Sequence, residues 1–328
     1  MSDTPPSRAR AVIVGGGVSG CSVAYHLSLL GWRDVVLLER RQLTCGTTWH
    51  AAGLIGQLRA TQNLTRLARY SAELYHSLKA ETGLDTGIRR NGSITVALTS
   101  DRMEEVRRQA ALARSFDIEV HEISPAEIGE RYPHLNLSGV VGGVFLPGDG
   151  QCDPANVAMA LAKGARQRDA RIFEGVKVTG IAQRDGRVTG IRWSRSDGDN
   201  AREGVIETDI VITCAGMWAR EFAAAAGVNV PLHACEHFYI VSEPIDGLGQ
   251  LPVLRVPDEC AYYKEDAGKM MLGAFEPKAK PWGMDGIPES FCFDQLPEDV
   301  EHFEPILNQA VNRMPMLADA GIQTFFNG

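Results

Sequence analysis

No stretch of this 328-residue chain approaches the roughly 18 apolar residues that a membrane-spanning helix needs. The first apolar stretch, Ala11 to Val14, runs straight into glycines and does not read as a signal-peptide core, and the polar opening Met1 to Arg10 is too short to read as a transit peptide. No CxxC pair occurs. The seven cysteines (21, 45, 152, 214, 235, 260 and 292) are odd in number and scattered, which argues against a disulfide framework and against a structural zinc site. A reducing cytoplasm is the simplest compartment, and no metal-ligand cluster stands out. Positive charge is also short: 33 Lys and Arg against 41 Asp and Glu leave a net −8, a balance that disfavours a nucleic-acid surface. Internal repeats are missing. What the chain has in excess is glycine, 34 residues, or about one in ten against a usual 7% or so. With 44% hydrophobic and 23% charged residues the composition is that of an ordered globular protein of about two domain equivalents. Glycine in such a chain marks tight turns and places where backbone lies close to something bound.

The sharpest local signal is Arg10 to Gly20, RAVIVGGGVSG. Ala11 to Val14 suits a buried parallel strand, and Cys21 to Leu30 is compatible with a helix. Between them stands Gly15-x-Gly17-x-x-Gly20. Gly15 suits the tight turn, Gly17 lets backbone approach a pyrophosphate, and Gly20 lets helix pack closely on strand. Amides at the helix start, around Val18 and Ser19, can bind phosphate oxygens without a basic side chain. A second strand, Asp34 to Leu38, ends in Glu39, 19 residues after Gly20, where a ribose-binding acid is expected. Strand, glycines, helix, strand and acid at this spacing specify a dinucleotide site. They do not choose between FAD and NAD, although Glu39 argues against NADP.

The segment after Glu39, RRQLTCGTTWHAAGLIGQLR, packs Gly, Thr and Ala around Trp49 and His50. Small residues let a ring lie near backbone. His50 offers one imidazole, which chemistry alone reads equally as a satisfied structural residue. Here the chain resembles the amino-terminal flavin-binding part of the dimethylglycine dehydrogenase and sarcosine dehydrogenase family, FAD enzymes of the glycine-oxidase and amino-acid-oxidase type. The resemblance rests on VIVGGGVSG at 12–20, LERRQLTCGTTWHAAGL at 38–54, GQCDP at 150–154 and VITCAGMWA at 211–219. It continues through EHFYIVSEPIDGL at 236–248, LPVLRVPD at 251–258, YYKE at 262–265 and FFNG at 325–328, so that it spans essentially the whole chain.

The resemblance implies FAD, held by Gly15, Gly17, Val18, Ser19, Gly20, Glu39, Arg40, Thr47, Thr48, Trp49, His50, Gly53, Leu54, Val178, Ala215, Gly216 and Trp218. It further implies a covalent bond from His50 to the flavin 8α-methyl group, which would hold the cofactor permanently and favour electron uptake. It places substrate-site residues at His237, in the HxY of the strand EHFYIV, and at Tyr262 of the Tyr262–Tyr263 pair. The activity implied is oxidative demethylation of dimethylglycine, sarcosine or a related N-methyl amino acid, with oxidation of another N-methyl amine or a betaine derivative as the alternative among enzymes. The product is formaldehyde or a one-carbon unit passed to tetrahydrofolate, with oxygen or an electron-transfer protein as acceptor. The family also includes a phosphatase-regulatory relative, so a non-catalytic role is the alternative from a different class. Full-length relatives return to the flavin domain after the FFNG segment, and many continue into a folate-binding region, which implies that this chain is part of a longer protein.

The expected fold class is α/β, a Rossmann-like FAD domain interleaved with an α+β substrate domain containing a mostly antiparallel sheet. FAD-domain pieces are expected near 1–90 and 150–230, with substrate-domain pieces near 91–149 and 231–328. Leu64, Leu67, Ala68, Ser71, Leu74, Tyr75 and Leu78 give Thr61 to Thr82 a helical packing face. Gly92 to Leu98 reads as a strand and Asp101 to Phe116 as a helix. Ser124-Pro125-Ala126-Glu127 is a capping box, and Asp153-Pro154 opens a helix to about Arg168. Short strands are expected over 171–183, 187–193 and 205–213, with turns at 184–186 and 196–200. Strands near 237–241, 251–256, 261–264 and 270–275 precede a helix over 298–313. Arg255 and Lys264 are weak candidates for clamping a carboxylate, since cations on strands are commonly exposed. On a regular strand His233 would share a face with His237.

Overall fold

The computed structural model describes residues 4–197 and 200–328. Four parallel strands form one sheet in the order Val211–Thr213, Ala11–Val14, Val35–Leu38 and Arg171–Phe173. Every residue of the two central strands is buried, the pattern of a parallel sheet covered on both faces. Helix Val18–Leu29 packs against helix Pro154–Arg166. The small residues Ala158, Ala162, Gly164 and Ala165 allow the close approach, and a Cβ at Gly164 would meet the Tyr25 ring at 2.8 Å. The first helix begins at Val18, three residues before the expected start, because Gly17 already takes the extended cap conformation and the Val18 amide finds a partner in Thr48 Oγ1.

Beside this sheet a three-stranded antiparallel layer joins Lys177–Arg184, Arg187–Asp197 and Asn200–Glu207. Its first turn is made by Asp185 and Gly186, both left-handed, as a two-residue hairpin demands. The expected strand 171–183 is split, since Gly175 at φ +70° turns the chain between Phe173 and Lys177. Of the expected turn at 196–200, residues 198 and 199 lie outside the described residues.

The largest sheet has eight strands, ordered Ile322–Asn327, Phe238–Ser242, Lys269–Ala274, Ala261–Asp266, Val253–Val256, Ser93–Ala97, Gly142–Leu146 and His121–Ile123. All neighbours are antiparallel except Val253–Val256 beside Ser93–Ala97. One face buries Phe238, Ile240, Leu254, Tyr263 and Leu272 with Phe303, Ile306 and Ala310 of helix Val300–Arg313. The alternate residues point the other way. A row runs across that opposite face, Phe326 beside Tyr239, then Gly273, Tyr262 and Arg255. Local signals held where they were strongest. Ser124 and Glu127 exchange both capping-box bonds, and Asp153 accepts from the Asn156 amide at 2.9 Å. No helix among the described residues is long and apolar enough to cross a membrane.

Candidate active site

Two of the three fingerprint glycines are required by the protein's own packing. Gly15 sits at φ +109°, where a Cβ would fall 2.4 Å from the Cys214 carbonyl oxygen, and a Cβ at Gly20 would fall 1.9 Å from the Gly15 oxygen. Gly17 is different: its φ is ordinary, −74°, and its Cβ would touch only Thr48 Oγ1, at 3.0 Å. Its lack of a side chain serves space outside the fold, where Ser19 is also exposed.

Glu39 ends the second strand with its carboxylate buried. Oε2 accepts from the Gly16 amide at 2.6 Å and Oε1 from the Arg41 amide at 2.9 Å. Burial pushes its carboxyl up, and the two amides oppose that rise. Arg40 lies 3.9 Å over the Trp218 ring and donates to the Glu289 and Phe291 carbonyls at 3.1 and 2.7 Å. Thr48 caps the glycine turn through Val18, and Trp49 packs 4.4 Å from His50. The His50 Nε2 lies 2.8 Å from the Asp294 carbonyl oxygen. A carbonyl only accepts, so Nε2 carries the hydrogen and Nδ1 keeps its lone pair. Burial lowers the His50 pKa, with the Asp294 carbonyl and charge opposing, so the ring is neutral near pH 7.

The loop that carries His50 and the free face of the large sheet border an open cleft of about 440 Å³. Its wall includes Thr47, His50, Gly53, Leu54, His237 and Tyr262. One glycine joins the two histidines. Gly328 exchanges backbone hydrogen bonds with His237 at 3.2 Å in both directions, and a Cβ on it would lie 2.7 Å from the His50 ring. His237 therefore stands between two short strands rather than within one, and His233, on an irregular exposed stretch, does not share its strand face. Its Nδ1 meets Glu276 Oε2 at 2.9 Å. Tyr262 is buried, its ring lying over Gly273, where any side chain would occupy the ring's place.

Sequence reasoning missed Tyr239, Phe275 and Phe326, which complete the aromatic wall, as well as Gly328 and Glu276. The HxY pattern contained Tyr239, and the FFNG motif contained Phe326 and Gly328. Glu276 had no signal, since only the fold brings it to His237. Of the two cations read as commonly exposed, Lys264 is buried and Arg255 half-buried. Lys264 donates to the Ala52 carbonyl at 2.8 Å and pairs with Asp266 at 3.3 Å, so it ties down the His50 loop. Arg255 has its Nε buried without a partner, beside Asp149 and Gly56, and burial lowers its pKa. Val178 packs into the apolar cluster of Val12, Val36 and Trp193, while the neighbouring Val176 is the residue whose amide reaches the Glu39 carbonyl, at 2.8 Å. Ala215 is half-buried and Gly216 exposed at the end of strand Val211–Thr213, opposite the glycine turn.

Three buried polar atoms of this region, Trp49 Nε1, His50 Nδ1 and Trp218 Nε1, have no protein partner. Buried polar atoms are rarely left so. With an open Gly17 and an acid at the second strand end, these residues fit a bound dinucleotide with a polar ring system.

A family model described as FAD dependent oxidoreductase matches residues 10–328. The chain belongs to that family. It is 38% identical over 326 residues to 4-methylaminobutanoate oxidase (formaldehyde-forming) of Paenarthrobacter nicotinovorans, covering 99% of this chain and 38% of that protein. It is likewise 38% identical over 324 residues to mitochondrial sarcosine dehydrogenase of Homo sapiens, covering 97% of this chain and 34% of that protein. The chain thus spans between a third and two fifths of these relatives. Its fold is also that of the L-proline dehydrogenase from P. horikoshii, with a TM-score of 0.85 at 22% identity, covering 99% of this chain and 82% of that one.

Proposed function

We propose that this chain is the flavin-carrying part of an enzyme that oxidatively demethylates an N-methyl amino acid of the dimethylglycine or sarcosine type. The products would be formaldehyde or, with a folate-binding region elsewhere in the protein, a folate-bound one-carbon unit. The observation that carries the reading is the cavity that unites His50 with His237 and Tyr262. Its volume lies in the range of small-molecule sites. FAD supplies an electron-pair acceptor at this place. The chain's own residues do the rest. Gly17, Val18 and Ser19 would meet the diphosphate, Glu39 the ribose, and Thr47, Thr48, Gly53, Leu54, Ala215, Gly216 and Trp218 the remainder of the cofactor. Arg40 stacks on Trp218 and holds the neighbouring 289–291 segment. Tyr262, kept protonated because burial raises its pKa, offers a hydroxyl toward the substrate. The aromatic wall favours a cationic methylamine over a plain anion.

His50 would carry the flavin covalently. Its neutral imidazole, with one nitrogen hydrogen-bonded and the other free, supports that assignment. The domain division near residues 90, 150 and 230 belongs to the same proposal, and the separate four- and eight-stranded sheets support it. The test has two arms on flavin-loaded protein. Acid precipitation with peptide mapping should find flavin on the peptide containing His50; flavin released into the supernatant would reject the covalent link. Anaerobic mixing with a panel of N-methyl amines should bleach the flavin, fastest with the glycine derivatives. A faster reaction with a longer methylamino acid would move the substrate assignment to that compound, and no bleaching by any of them would refute amine oxidation.

A further inference from the structure

We propose that Glu276 is a positioning residue that presents the Nε2 lone pair of His237 to the cavity, so that the pair takes the proton an ammonium substrate must lose before oxidation. The inference rests on the amine-oxidation reading above. Glu276 follows the strand Lys269–Ala274, and its side chain is only 6% exposed. Both oxygens are committed: Oε2 lies 2.9 Å from His237 Nδ1, and Oε1 accepts from the Phe238 amide at 2.9 Å. Anchored at two points, the carboxylate has no room to turn. An ionised carboxylate can only accept, so Nδ1 carries the hydrogen, and in the neutral ring this leaves the lone pair on Nε2. Burial acts to raise the Glu276 pKa, but the hydrogen bonds the carboxylate accepts from His237 and from backbone amides outweigh it and hold the group below its ordinary value.

No other wall residue suits the task. Tyr239 and Tyr262, on neighbouring strands of the same face, are both pushed up by burial and stay protonated. His50, on the opposite loop, keeps a lone pair on Nδ1, but burial lowers its pKa and so disfavours the imidazolium that taking a proton would form. Glu236, next to His237 in sequence, pairs with Lys280 at 3.5 Å and accepts from Asn327 Nδ2 at 2.9 Å. The chemistry needs such a group. An aliphatic amine has a basicity near that of lysine, pKa about 10.4, and enters as ammonium, without the lone pair that oxidation requires. In the step proposed, one N–H bond of the ammonium breaks, its electron pair stays on nitrogen, and the proton bonds to His237 Nε2. The resulting imidazolium faces the Glu276 carboxylate. No electrons change hands.

The test is Glu276→Gln in the flavin-loaded protein, since glutamine keeps the size and an acceptor for the Phe238 amide but removes the charge. Flavin reduction would be followed anaerobically at pH 7 with two N-methyl amines, one of ordinary basicity and one fluorinated so that it is largely unprotonated. The ordinary amine should react about 100-fold more slowly in the variant, the lower end of what acid–base groups contribute, and the fluorinated amine less than about threefold more slowly. Glu276→Asp, which retains the charge, should recover most of the rate. Equal slowing of both amines, no slowing of either, or an aspartate variant as slow as the glutamine one would overturn the assignment. A second readout is independent of turnover: ¹⁵N NMR, with the His237 signals identified by comparison with His237→Gln. It should show Nδ1–H dominant in the wild type and lost from dominance in Glu276→Gln; an unchanged tautomer would overturn the proposal. Wild-type flavin that neither amine reduces would refute amine oxidation instead, and the tautomer measurement would still decide the role of Glu276.

Discussion

Gly20→Ala and Gly17→Ala should separate the two kinds of work done by the glycine turn. At position 20 the added methyl would lie 1.9 Å from the Gly15 carbonyl oxygen, a backbone atom that cannot rotate away. To reach ordinary contact the helix start must move by more than an ångström, against a strand whose residues are all buried. Overpacking of this kind costs about 3 kcal/mol, and the better helix propensity of alanine returns about 0.5–1 kcal/mol. The net loss is therefore about 2 kcal/mol, which lowers the melting temperature by roughly 4–8 °C in a protein of a few hundred residues. At position 17 the methyl meets only the Thr48 hydroxyl at 3.0 Å, and φ is already permitted to any residue. Its melting temperature without flavin should fall by less than about 2 °C, within the range of small surface changes. Flavin affinity should nevertheless drop by at least about tenfold, or 1.4 kcal/mol, because the methyl occupies the diphosphate's approach. Scanning calorimetry of flavin-free protein and a fluorescence titration with FAD measure the two effects. Equal destabilisation by both substitutions, or full FAD affinity in Gly17→Ala, would refute this division.

Other expected outcomes follow from buried charge. Lys264→Met removes the hydrogen bond to the Ala52 carbonyl and should cost about 1–3 kcal/mol by leaving that oxygen unsatisfied, read as a lower melting temperature together with slower flavin uptake. For His50 the pKa is lowered on folding from its usual 6.5, so the folded state resists a proton that the unfolded chain accepts. Its contribution to stability is present above pH 6.5 and is lost as pH falls through the lowered folded value, by at most about 1.4 kcal/mol per pH unit for one proton. His50→Gln should flatten the fall in melting temperature of flavin-free protein below pH 6.5; an unchanged fall would assign it to other groups.

What the sequence disclosed and what it concealed divide along a physical line. Gly15 and Gly20, the Ser124 capping box and the Asp153 cap act within a few residues of themselves or at one fixed strand–helix junction, so spacing alone reveals them. The meeting of His50, His237 and Tyr262 was legible only through motif resemblance, because the strand order of the eight-stranded sheet decides it. The same register hides Lys264 under the Ala52 carbonyl and turns Arg255 inward, against the usual preference of strand cations for solvent. Glu276 was invisible because nothing local distinguishes it; its task comes from a 39-residue return of the chain to His237.

The most direct measurement is a crystal structure of the flavin-loaded protein with a non-oxidisable N-methyl amino acid analogue. The expected result is the isoalloxazine against His50, the diphosphate on the turn from Gly15 to Gly20, and the analogue's amine between the ring, His237 and Tyr262. A flavin seated elsewhere, or an analogue bound away from His237 and Tyr262, would contradict it.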